Sequence, residues 1–203
     1  MKIILASQSP RRKDLLSRMG VKFEVIPSNF DEELDNSRAA EEVAMELAHS
    51  KAVAVAKDYP DAIVIGSDSI VFLGNEQFGK PENNDEAREM LKKLSGTTHG
   101  VVSGVAVVRL RDGIKLVDSE TAKIHFKPLN IDEIEKYVRS GDSLDKAGGY
   151  GVQSGAAPLI DYAEGDVSAI IGLPTKLLSE MLKKLGIESK SVKYDLPVKV
   201  LKV

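Results

Sequence analysis

An aspartate stands where an apolar strand is expected. Ile63-Val64-Ile65 and Ile70-Val71-Phe72-Leu73 flank Gly66-Ser67-Asp68-Ser69. An ionised carboxylate between two such runs is costly to bury unless a cation or hydrogen-bond donors meet it. Either Asp68 caps a tight turn between two hairpin strands, or it is held there for chemistry; the second reading is favoured. Gly66 weakens the strand but lets another backbone come close.

Cations stand nearby in the pattern. Ser9 suits a helix N-cap, Pro10 the first helical position, and Gly20 the end of that helix. Arg11 and Arg12 then fall in the first turn, at the positive end of the helix dipole, which disfavours each by about 0.3–1 kcal/mol. Either they are merely solvated, or a Ser-bearing turn, helix N–H groups and two guanidinium groups form a site for an anion such as phosphate. Lys51 lies four residues after Leu47 on the apolar stripe of a second helix. It either snorkels to the edge or points into a cleft. Gly79-Lys80-Pro81 places a further lysine just past a short strand.

Two loops complete the set. Pro27 to Asn36 is polar and acidic, which reads as a solvated loop or as a carboxylate donor to a metal or a water. A second loop, Asp145-Lys146-Ala147-Gly148-Gly149-Tyr150-Gly151-Val152-Gln153-Ser154-Gly155, is rich in glycine. Such a run brings backbone amides close to a ligand. It is not the dinucleotide fingerprint, and there is no Walker-type phosphate loop. Gln153 can read a base edge, because its amide both donates and accepts.

Elements must position these residues. Ile3 to Leu5 and Phe23 to Ile26 read as short strands, and Ala62 to Leu73 as a longer one. His99 to Leu110 and Ile114 to Phe126 read as an antiparallel pair joined by Arg111-Asp112-Gly113. Helices are expected over Arg38 to Lys57 (capped by Ser37), Asp85 to Leu94, Ile131 to Arg139 and Thr175 to Leu185, the last ended by Gly186. Leu159 to Tyr162 and Val167 to Ile171 look like a hairpin. Ser191 to Val203 reads as an extended tail of mixed charge and apolar residues.

Composition limits the function. The 203 residues suffice for one large domain or two lobes around a cleft. A formal net charge of −3 argues against broad electrostatic binding to nucleic acid or to an anionic membrane. The absence of cysteine excludes disulfides, a thiol nucleophile and cysteine-ligated zinc, and fits a reducing, cytoplasmic setting. No apolar run approaches the ~20 residues of a membrane span, and no signal-peptide core opens the chain. His49, His99 and His125 lack metal-ligand spacing and read as surface or edge residues.

Ala6-Ser7-Gln8-Ser9-Pro10-Arg11-Arg12, Gly66-Ser67-Asp68-Ser69, Gly79-Lys80-Pro81, Asp145 to Gln153 and Gly172-Leu173-Pro174 occur in the order found in the Maf (septum-formation) family. The chain resembles that family from about residue 2 to 186. The resemblance implies one pyrophosphatase domain over 1–186 and a C-terminal extension over 187–203. It implies a mixed, strongly twisted α/β sheet flanked by helices, in two lobes around a cleft, related to inosine triphosphatases. It implies hydrolysis of a nucleoside triphosphate to the monophosphate and pyrophosphate with a divalent metal, Mg²⁺ or Mn²⁺, and a homodimer. By matching position, Asp68 looks like the catalytic carboxylate, whether as base or as metal ligand. Ser7, Arg11, Arg12, Glu32, Lys51 and Lys80 look like the phosphate and metal surroundings, with Glu32 and Asp68 as the metal-ligating carboxylates. Arg11, Ser69 and Gln153 match positions associated with substrate choice, and Arg11 with Gln153 resembles the dTTP/UTP branch. Ser69 departs from that branch's usual Thr, and Ser154 stands where Gly is common. Two other readings are a preference for modified or purine nucleotides, and a nucleotide-binding regulator of cell division with little catalysis.

Overall fold

The computed structural model describes residues 1–30 and 33–201. In chain order the elements are β1 (Ile3–Leu5), α1 (Pro10–Arg18), β2 (Glu24–Val25), α2 (Ala40–Ala56), β3 (Ile63–Leu73), β4 (Glu76–Phe78), α3 (Asn84–Leu94), β5 (Thr98–Arg109), β6 (Ile114–Phe126), α4 (Ile131–Arg139), β7 (Ile160–Glu164), α5 (Val167–Ile171), α6 (Thr175–Lys184) and β8 (Lys199–Leu201). The strands form one mixed sheet in the order β2-β1-β3-β5-β6-β7-β8, with β4 hairpinned onto β3. β1 runs parallel to β2 and β3, and β7 parallel to β8; the long β3, β5 and β6 are antiparallel.

Alternation along β3 and β5 sorts the core. Ile63, Ile65, Val71, Val101, Val105 and Val107 face one side of the sheet; Val64, Ile70, Val102, Ala106 and Val108 face the other. On both sides the apolar packing is interrupted at the same level of the strands. The first face carries Ser67, Ser69 and Ser103 there, and they separate a cluster containing Leu5, Leu15 and Leu178 from one containing Phe78, Leu91 and Phe126. The second face carries Gly66, Asp68 and Gly104, and α2 crosses it. This polar seam makes two packed halves out of one continuous sheet.

Sequence expectations meet the structure unevenly. Ser9 does cap α1, its hydroxyl accepting from Arg12 N–H at 3.4 Å, with Pro10 following. The long strands and α4 lie where alternation and helical periodicity place them. Ser37 is not the cap of α2: Ala39 holds that position without a side-chain bond, and the Ser37 hydroxyl donates to Asp35 instead. The hairpin expected over residues 159–171 does not form. Its first arm is β7, but Val167–Ile171 is the helix α5, capped by Asp166, whose carboxylate accepts from Ser168 N–H at 2.7 Å. A helix of five residues is too short to display its period, so its β-branched residues mimic a strand. His99 is neither surface nor edge; it is 2% exposed. The tail is extended, as expected, and it docks: β8 extends the sheet and Val192, Tyr194 and Leu196 pack on the core. No helix among the described residues is long and apolar enough to cross a membrane.

Candidate active site

β3 is the floor of a cleft because its neighbours leave a gap. β1 pairs with it only as far as Ile65, and β4 only from Val71 onward. Residues 66–70 therefore have β5 on one edge and the cleft on the other. The cleft encloses about 990 Å³, and Ser7, Arg11, Arg12, Lys51, Asp68, Ser69, Lys80 and Gln153 all line it. Glu32, expected as a metal ligand, lies outside the described residues.

Asp68 sits in mid-strand opposite Gly104, not in a turn. Two glycines let α2 rest almost on the sheet: a Cβ on Gly66 would lie 2.1 Å from Ala48 O, and one on Gly104 2.3 Å from Ala44 O. That close approach brings Lys51 over Asp68. The Lys51 ammonium donates to Asp68 Oδ1, and both residues are buried, at 6% and 4% exposure. Lys51 thus points inward rather than snorkelling. A buried pair of this kind is tolerated because each charge meets the other.

The other face of the strand holds Arg12. Its Nε donates to Gly172 O at 2.9 Å, one terminal nitrogen to Ser7 Oγ at 3.3 Å and the other to Ser69 Oγ at 3.1 Å. Ser103 Oγ donates to Ala169 O at 2.7 Å and lies 2.7 Å from Ser69 Oγ. A hydroxyl has one proton to give, so Ser69 must donate to Ser103. The relay Arg12 to Ser69 to Ser103 to Ala169 O leaves Ser69 only accepting capacity toward the cleft. Ser67 Oγ lies within bonding distance of Gly104 O and Gly172 O, at 2.8 and 2.9 Å. Arg12 is therefore fixed to the sheet and to the end of α5, not solvated. Arg11 reaches across the cleft to Asp145, 3.2 Å from Oδ2.

The loop after α4 is tied by Lys146, whose ammonium donates to Asp142 O and Oδ1 at 2.7 and 2.8 Å, and to Asp145 Oδ1. Burial pushes the Asp142 and Asp145 carboxyls up. Hydrogen bonds from Lys146 to both, from Ser154 and Tyr137 to Asp142 and from Arg11 to Asp145 outweigh it and hold both below the usual carboxylate range. Sequence reasoning missed Ser103, Tyr137 and Asp142. Ser103 stands out only once β5 is in register, directly opposite Ser69. The other two carry no local signal.

A divalent cation suits this donor set. Asp68 offers hard carboxylate oxygen, and a polyphosphate brings more; Mg²⁺ commonly binds through one or two carboxylates plus substrate phosphates. No group of three or more His, Cys, Asp or Glu able to hold a metal occurs among the described residues, so those residues alone make no cage there.

A recess rimmed by arginines and lysines and floored by a carboxylate defines a protein that holds a polyanion and can act on it. The chain belongs to the Maf family: residues 2–185 match the family described as Maf-like protein. It is similar to the dTTP/UTP pyrophosphatase of Desulforamulus reducens, 42% identical over 92% of this chain and 97% of that protein. It is likewise similar to that of Dictyoglomus thermophilum, 44% identical over 91% of this chain and 96% of the relative. That of Aquifex aeolicus is 41% identical over 92% of this chain and 97% of its own length. The solved Staphylococcus aureus Ham1 protein overlaps 62% of this chain and 72% of its own, with a TM-score of 0.41 and 20% identity, a likeness confined to part of each chain.

Proposed function

We propose that the protein is a nucleoside triphosphate pyrophosphatase that hydrolyses dTTP and UTP to the monophosphate and pyrophosphate. The observation that carries the reading is the buried Lys51–Asp68 pair at the floor of a cation-rimmed cleft. The three relatives named as dTTP/UTP pyrophosphatases support the choice of substrate.

In this reading Arg12, Lys80 and the Ser7 turn bind the triphosphate oxygens. Cations fixed around the cleft stabilise charge that develops as the α–β bridging bond breaks. Asp68, with Oδ1 held by Lys51, orients a water toward the α-phosphorus and takes its proton as the P–O bond forms. Pyrophosphate leaves with the bonding electron pair. Asp68 and Glu32, with substrate oxygens, would hold Mg²⁺ or Mn²⁺, which when bound neutralises phosphate charge and acidifies water. Gln153 and Arg11 face the base end, and Ser69 presents an acceptor. The reading includes a cytoplasmic homodimer without nucleic-acid or membrane partners; the net charge of −3 supports the absence of those polyanionic partners.

Pyrophosphate release from a panel of nucleoside triphosphates, with and without Mg²⁺ or Mn²⁺, tests the reading. Metal-dependent release from dTTP and UTP is expected. Asp68→Asn should lower kcat at least ~100-fold while the protein stays folded by circular dichroism. Release from no nucleotide, or a variant with more than half of wild-type kcat, overturns the proposal.

A further inference from the structure

Asp142 gathers an unusual number of partners. Its Oδ2 accepts from Tyr137 Oη at 2.7 Å, from Ser154 Oγ, and from Gly155 N–H at 3.2 Å. Its Oδ1 accepts from Lys146 at 2.8 Å. The three Lys146 protons all go to Asp142 and Asp145, and Asp145 in turn receives Arg11. Tyr137 Oη, while donating to Asp142, accepts from Gly151 N–H at 3.0 Å. Gln153 lies between residues whose backbone or side chain ends on this carboxylate or its tyrosine partner. Arg11 is reached from the same carboxylate through Lys146 and Asp145.

We infer that Asp142 is a positioning residue that sets base discrimination in the cleft by tying Gln153 and Arg11 to one carboxylate. The inference rests on the reading above, in which those two side chains face the base. Asp142 touches neither substrate nor reacting atoms. It fixes the loop on which Gln153 is carried and, through the lysine bridge, the carboxylate that aims Arg11. Ser154 adds a clasp of this chain's own, since its hydroxyl proton goes to Asp142 while its backbone N–H donates to Gly151 O at 3.2 Å. A glycine at that position would lack the first bond. Networks of this kind hold a geometry only while every member is satisfied.

The test is a comparison of wild type, Asp142→Asn, Ser154→Gly and Ser154→Thr on dTTP, UTP, dCTP, dGTP and dATP. For the best nucleotide, Asp142→Asn should raise KM about tenfold, the worth of one charge-assisted hydrogen bond, and Ser154→Gly about threefold. kcat should change far less than KM. The kcat/KM ratio between best and worst nucleotide should shrink in both variants, and Ser154→Thr, which keeps the hydroxyl, should track wild type. A ratio unchanged in both variants, or an equal fall in kcat on every nucleotide, overturns the inference. A wild type that prefers another base defeats the dTTP/UTP reading alone, because the ratio is still read. With no turnover, the same ratio is read as Kd by calorimetry. If Asp142→Asn does not fold, Ser154→Gly and Ser154→Thr decide.

Discussion

His99 shows how one side chain can set an acid limit. It is buried beside Phe126 and Tyr150, with Nε2 2.7 Å from Tyr150 Oη and Nδ1 3.4 Å from Thr97 Oγ1. Burial, helped by the charge of nearby His125, pushes its pKa down to about 3. The unfolded chain takes up that proton near pH 6.5, so stability is full above pH 6.5 and falls as pH drops toward 3. The steepest slope for one proton is about 1.4 kcal/mol per pH unit. Thermal melts from about pH 7 to about pH 4 should show this fall, and His99→Gln should flatten it by up to one proton; an unchanged slope refutes the assignment. At this scale the sequence was legible where a charge broke an apolar pattern, as at Asp68 and Lys51. His99 was missed although it shares a strand face with Val101, because its reading looked for metal spacing and not for the period of two.

The contact between α2 and the sheet is the element that makes the site. Backbone rests on backbone at Gly66 and Gly104, so the height of Lys51 above Asp68 is set by the absence of two methyl groups. Gly104→Ala forces the helix outward. A loss of about 1–3 kcal/mol is expected, as for other overpacked sites, measured by urea unfolding. Turnover should fall by more than that stability change explains, because the lysine leaves with its helix; wild-type kcat would contradict it. Helices and strands with full periods were readable from the sequence. Gly66 was noted as allowing a close approach, but Gly104 was not, since its place beside Gly66 under α2 comes from the register between β3 and β5. α5 was misread for want of length.

Across the whole molecule, the tail joins what the seam divides. Val192, Tyr194, Leu196, Val198 and Val200 alternate inward, and Leu196 packs on both apolar clusters of one sheet face. Leu196→Ala should cost about 1–2 kcal/mol, below the range for a fully buried leucine because this one is half-buried, and lower Tm by a few degrees without changing kcat. A Tm equal to wild type would show that the tail adds nothing to stability. The alternation is visible in the sequence, yet the tail's docking is not, because nothing local names its partner strand. The seam has its own consequence for how such a protein changes over generations. Away from Leu196, hydrophobic substitutions can accumulate in either cluster almost independently, since a row of serines stands between them, backed by glycines and one aspartate on the other face of the sheet. The same row has little room to drift, and so the slowest-changing positions in the core should be polar ones.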